Sequence, residues 1–259
     1  MPLLLWIIFF TALGGAASAL AASVFLLSPE RLRARVLPHL VSFATGALLA
    51  AALLGLLPHA IESAGMAHAH NVGATILGGL LLFFVLEKLV LWRHCHQDVC
   101  EGHVPHDKHR DAASASLILI GDGFHNTLDG VLIAAAFMTD VHLGVVTALA
   151  VIAHEIPQEV GDLAILLHGG MSRGKALFLN LLTSLTSVLG GIAAYFALAQ
   201  TRFILPYAIA LAASSFLYIA VADLIPGLHR RVDPNSGVKQ FAFIVLGAAV
   251  IYVTHSAAH

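Results

Sequence analysis

The sequence is poor in charge, in cysteine and in long polar stretches. Only 11% of its 259 residues are Asp, Glu, Lys or Arg, against 59% hydrophobic. With a mean hydropathy of +0.88, such a chain cannot cover a water-facing surface, so the bilayer is its solvent. No basic run marks a nucleic-acid partner, and the net charge of -2 says nothing further about partners. The two cysteines, Cys95 and Cys100, fall in one polar connection, which argues against a structural disulfide. No basic residue precedes the first apolar run, which continues past Ala19-Leu20-Ala21. It therefore reads as a retained helix and not as a cleaved secretory signal.

What the sequence does hold is a series of apolar runs, at about 3–27, 38–60, 72–92, 114–138, 142–167, 175–199, 203–226 and 238–256. Each is long enough to span, since a transmembrane helix needs roughly 20 residues. The predicted fold is all-α, a polytopic membrane protein of eight transmembrane helices forming one transport domain over 1–259, without room for a sizeable soluble domain.

Orientation follows from the basic residues. Arg31, Arg33, Arg35, Lys88, Arg93, Lys108, Arg110, Arg173, Lys175, Arg230, Arg231 and Lys239 fall at one set of helix ends, and Arg202 alone at the other. By the positive-inside rule both termini lie outside, and the polar connection 94–113, HCHQDVCEGHVPHDKHRDAA, is cytosolic. Gly14-Gly15 matches Gly190-Gly191, and the Leu-Leu-Pro ending at Pro58 matches the Leu-Ile-Pro ending at Pro226. The match suggests a 3+2+3 arrangement, with inverted repeats flanking helices four and five.

Histidine is over-represented: 16 His against 13 Lys plus Arg. Neutral imidazole is the commonest protein ligand for metals, so the count raises the prior for metal handling. In the fourth run, Asp122, His125, Asn126 and Asp129 are spaced to share one helix face, and in the fifth His154, Glu155, Gln158, Glu159 and Asp162 do the same. Both stripes lie near mid-helix. An ionised side chain there costs on the order of 3 kcal/mol, so such groups are buried against one another, against water or against a cation. Imidazole, carboxylate and amide donors without thiolate suit Zn2+, accept Fe2+ or Mn2+, and argue against Cu(I). Pro157 removes a hydrogen bond from the carbonyl of Ala153 at this level, which membranes tolerate where backbone lines a cavity. Gly121, Gly123, Gly130 and Gly161 would let neighbouring helices approach closely. A bland reading, polar residues that only join helices, fits one isolated His or Asp better than two facing stripes. Glu87-Lys88 reads as a structural or snorkelling pair, and Asp223 as a ligand on an exit path. In the long connection, His94, Cys95, His96, Cys100, His103, His106 and His109 are candidates for cytosolic metal capture.

HNTLDG at 125–130 and HEIPQEVGD at 154–162 resemble the helix-four and helix-five motifs of the ZIP (zinc/iron-regulated transporter-like) family, in the subfamily reading HNxxDG and HExPHE. FFVLEK at 83–88 and YIAVADLIP at 218–226 extend the resemblance. It implies a metal site of two ions between helices four and five, held by His125, Asn126, Asp129, His154, Glu155 and Gln158. Gln158 stands where those relatives carry His or Glu, which weakens the second ion. Transport towards the cytosol is likewise implied by the resemblance.

Three functions follow as expectations. The first is a Zn2+ transporter, with Fe2+, Mn2+ or Cd2+ as further cargo, passing ions inward by way of Asp122, Glu159 and Asp162. The second is an intramembrane zinc metalloprotease, since HEIPQ begins like H-E-x-x-H but carries Gln158 in place of the second His. The third is a metal sensor or storage protein using 94–113. No catalytic cofactor is expected. The partners are divalent ions and the lipid bilayer, with a homodimer left open, and the compact length favours a bacterial inner membrane.

Overall fold

The computed structural model describes residues 2–94, 108–168, 170–229 and 234–256. Among these residues the chain is helical apart from short turns. Its long helical segments are α1 (Leu3–Leu26), α2 (Glu30–Ala64), α3 (Ala69–His94), α4 (Lys108–Thr139), α5 (Val141–His168), α6 (Arg173–Ala199), α7 (Arg202–His229) and α8 (Pro234–Ser256). Seven are long and apolar enough to cross a membrane; α4 falls outside that set. It is also the helix that carries Asp122, His125, Asn126 and Asp129.

Helix α2 begins at Glu30, eight residues before the apolar run that predicts it. Its extra turns hold Arg31, Arg33 and Arg35, which sequence reading assigns to a connection. Charge ends an apolar run but not a helix, and Glu30 in the first turn complements the helix dipole.

Three helices contain a widened turn: α1 at Leu13–Ala17, α2 at Ala51–Leu56 and α7 at Ile219–Leu224. The last two precede Pro58 and Pro226 by the same offset. Proline lacks an N–H and excludes the carbonyl four residues back. The chain responds by closing five-residue bonds, Leu57 N–H to Ala52 O and Ile225 N–H to Ala220 O.

Packing places α4 and α5 at the centre. Helix α4 lies on α6 as α5 lies on α1; α2 lies on α8 as α7 lies on α3; and α5 meets α2 as α4 meets α7. Exchanging α1, α2, α3 and α4 with α6, α7, α8 and α5 turns each of these contacts into its counterpart. The α4–α6 approach is backbone to backbone: a Cβ on Gly130 would run into the Ser187 carbonyl, and one on Gly190 into the Thr127 carbonyl. Cover falls off outwards, from 61% of the α2 span and 56% of the α5 span buried to 17% for α8 and 11% for α3.

Candidate metal site

The period of α4 carries His125 and Asp129 onto one face, and α5 meets that face with the adjacent pair His154 and Glu155. Four donor atoms, one from each of these residues, lie within 4.8 Å of one another. His125 Nε2 stands 3.3 Å from Glu155 Oε1 and 3.8 Å from Asp129 Oδ2. His154 Nε2 stands 3.2 Å from Asp129 Oδ2 and 3.6 Å from Glu155 Oε1. The two Nε2 atoms are 3.4 Å apart. Ligand bonds of about 2.0–2.1 Å around a tetrahedral ion put donors roughly 3.3 Å from one another, so the cluster has the dimensions of a coordination shell.

Two features give these residues the form of ligands. His154 Nδ1 lies 3.1 Å from the carbonyl of Ala150, one turn earlier. A carbonyl only accepts, so the proton sits on Nδ1 and Nε2 presents its lone pair to the cluster. All four carboxylate oxygens of Asp129 and Glu155 are buried and accept no hydrogen bond. Unpaired buried carboxylates are costly, and a dication is the counter-charge that the two imidazoles leave room for.

The other polar residues of the two stripes go elsewhere. Asn126 donates through Nδ2 to Asp122 Oδ1 at 2.8 Å, while its own Oδ1 is buried without a partner. Asp122 Oδ2 accepts from Thr183 of α6. Glu159 is turned wholly to α6: Ser184 Oγ donates to Oε1 at 2.7 Å, and Asn180 Nδ2 donates to Oε2. Asp122 and Glu159 are thus engaged as helix-to-helix acceptors, a role that their expected place on an ion path did not foresee. Asp162 is half-buried further along α5. Gln158 is half-buried and borders a cavity of about 210 Å3 that runs from His154 past Pro157 and Gly161 to Asp223 of α7. Gly161, expected to permit a close helix approach, instead faces open space, and a Cβ added to Gly123 would meet Thr183 only at an ordinary 3.6 Å.

Sequence reading missed the α6 side of this layer. Its signal was present in Asn180-Leu-Leu-Thr183-Ser184-Leu-Thr186-Ser187, where 180, 183, 184 and 187 share a helical face inside an apolar run. Ser187 Oγ carries the layer on to α1 by donating to the Thr11 carbonyl at 2.9 Å. Glu87 accepts from the Tyr218 hydroxyl of α7, and Lys88 Nζ lies 5.8 Å over the Phe84 ring, so each has its own neighbour. Of the His-rich connection, Cys95, His96, Cys100, His103 and His106 lie outside the described residues, and His94 and His109 belong to the helical ends on either side.

The sequence profile of the family described as ZIP Zinc transporter matches residues 3–114 and 92–255. Zinc transporter zipt-7.1 of Caenorhabditis briggsae is 30% identical in an alignment that covers 90% of this chain and 72% of the relative. Zinc transporter ZIP13 of Pongo abelii is 31% identical, covering 83% of this chain and 66% of the relative. Metal cation symporter ZIP14 of Homo sapiens is 38% identical over 51% of this chain and 27% of its own length.

Proposed function

Because the chain belongs to the ZIP zinc transporter family, and so is an integral membrane transporter and not an enzyme, we propose that it carries Zn2+ across the membrane through the α4–α5 cluster. One observation carries this reading: of four buried carboxylate oxygens without hydrogen bonds, Asp129 Oδ2 and Glu155 Oε1 stand at contact distance from two imidazole Nε2 atoms. His125, Asp129, His154 and Glu155 hold the ion in place of its water shell. Fe2+, Mn2+ and Cd2+ accept the same donors and are further cargo. The orphaned Oδ1 of Asn126 supports a second, adjacent ion, and Gln158 supplies only a neutral amide there, so that ion binds more weakly.

The cavity from His154 to Asp223 supports a route away from the site, towards the helix ends where arginine and lysine gather, read as cytosolic. The exchangeable packing of α1–α3 and α6–α8 about α4 and α5 supports inverted repeats, and rocking of these flanks would expose the site to each side in turn. The paired wide turns before Pro58 and Pro226 are the hinges of that motion. If a homodimer forms, α3 is the least covered face for it. The relatives named above are animal proteins, so they lend no support to a bacterial membrane.

Purified protein in liposomes tests the reading. Parent protein is expected to admit zinc, with iron, manganese and cadmium competing, while Asp129→Ala and Glu155→Ala proteins admit none above the lipid leak. Equal filling by parent and variants would overturn it. Deleting 94–111 is expected to leave flux intact; its loss would favour the sensor or storage role.

A further inference from the structure

Two of the sequence motifs, FFVLEK at 83–88 and YIAVADLIP at 218–226, take no part in the metal cluster, yet they meet each other. The hydroxyl of Tyr218 on α7 donates to Glu87 Oε2 on α3. Beside this bond the Phe83 and Tyr218 rings have centroids 6.3 Å apart and planes inclined at 35°. About two turns back along α3 the packing on α7 is close, since a Cβ on Gly79 would run into the Ser214 side chain. Glu87 is exposed on the least covered helix, and Tyr218 is half-buried. A carboxylate within a spanning helix is costly to leave without a donor, and a bond from a hydroxyl to a charged acceptor is stronger than one to a neutral acceptor.

Tyr218 stands immediately before the widened turn Ile219–Leu224. The residues that α7 gives to the cavity leading from His154, namely Ile219, Asp223 and Leu224, all belong to that turn. Phe216, two residues before Tyr218 and so on a different helical face, is fully buried with its ring centroid 6.1 Å from that of His154. Helix α7 therefore touches the cluster at Phe216, α3 at Tyr218 and the cavity from Ile219 onward. A widened turn lets the helix beyond it shift against the helix before it. The corresponding position in α2 is Ala50, since Ala50 and Tyr218 each fall eight residues before a proline, Pro58 and Pro226. Ala50 is buried and its side chain has no polar group, so the α2 turn has no such bond from this position.

We propose that Glu87 and Tyr218 are positioning residues for ion release: their bond fixes the start of the α7 turn to α3 and so holds Ile219, Asp223 and Leu224 where the cavity runs open from His154. Among the described residues none of α3 enters the cluster or lines the cavity, and this bond gives α3 its part in transport. Without it the turn samples other arrangements, and the maximal rate falls with the fraction of molecules whose cavity is open. Binding is made by α4 and α5 and is left as it was. The bond stands on the geometry; its effect on flux rests on the transporter reading above.

The test combines zinc flux in liposomes with equilibrium zinc binding and amide hydrogen exchange of the full chain in detergent. Tyr218→Phe removes only the hydroxyl, Glu87→Leu removes the acceptor, and Glu87→Gln keeps an acceptor oxygen. Tyr218→Phe and Glu87→Leu are each expected to lower the maximal rate about tenfold, with zinc affinity within about twofold of the parent. The double variant should be no slower than either alone, and Glu87→Gln should stay within about twofold of the parent rate. In Tyr218→Phe the amides of 219–225 should exchange about tenfold faster, the scale of one hydrogen bond to a charged group, with those of α4 and α5 unchanged. Parent rates in both single variants, losses that multiply in the double variant, a change confined to zinc affinity, or Glu87→Gln as slow as Glu87→Leu would overturn the role in release. Unchanged exchange in the turn would overturn the bond as its anchor. A parent protein that admits no zinc, with exchange in the turn still faster in Tyr218→Phe, would count against the transporter reading and not against that anchor.

Discussion

Two pairs of carboxylates on α4 and α5 meet opposite surroundings. Asp129 and Glu155 bury four oxygens that accept no hydrogen bond, and one oxygen of each stands against two imidazole nitrogens. Asp122 and Glu159, on the same helices, are met by Asn126, Thr183, Asn180 and Ser184. The residue types are the same, so type alone does not make a ligand. What separates the pairs is α6, whose hydroxyls and amide satisfy one and do not touch the other. The satisfied pair joins helices, and the unsatisfied pair is the one proposed to hold a cation.

The contrast can be broken or sharpened by substitution. The largest effect is expected for Asp129→Ala and Glu155→Ala, each of which removes a proposed ligand and should lower zinc affinity by about 100-fold or more. Thermal unfolding without metal should be unchanged or raised, because an unpaired buried charge has gone. Glu159→Ala should do the reverse. It strands the Asn180 amide and the Ser184 hydroxyl, so unfolding should show a loss of about 1–3 kcal/mol, while zinc affinity changes by less than about tenfold. Thr183→Val removes one donor to Asp122 and should destabilise by about 1 kcal/mol in the same measurement, with flux retained.

The smallest effect lies outside the membrane core. Asp140 caps α5 through the Leu143 N–H, and Asp140→Ala should cost about 1 kcal/mol in thermal unfolding. Because its folded carboxyl is held below the ordinary value, it stabilises the fold above the unfolded carboxylate range near pH 4. That contribution is lost as pH falls through the lower folded value. An acid titration of stability should therefore show a step in the parent that Asp140→Ala lacks.

Much of this was legible beforehand. Apolar run length located the helices, and the spacing of His125, Asp129, His154 and Glu155 located the cluster, since a helix of fixed period leaves little freedom once the polar residues share a face. Legibility failed where the deciding partner was on another helix. Nothing around Glu159 in its own segment distinguishes it from Glu155; only the packing of α6 does so. The start of α2 was lost for a related reason, because apolar content marks where the bilayer begins and not where hydrogen bonding does. Glu87 and Tyr218 stand 131 positions apart in the chain, and only the packing of α7 on α3 brings them together.

The most direct measurement is anomalous diffraction from zinc-loaded crystals at the zinc absorption edge. The principal peak should lie among His125 Nε2, His154 Nε2, Asp129 and Glu155, with Asp122 and Glu159 still bonded to α6. A principal peak on Asp122 or Glu159, with none between the two imidazoles, would contradict the assignment.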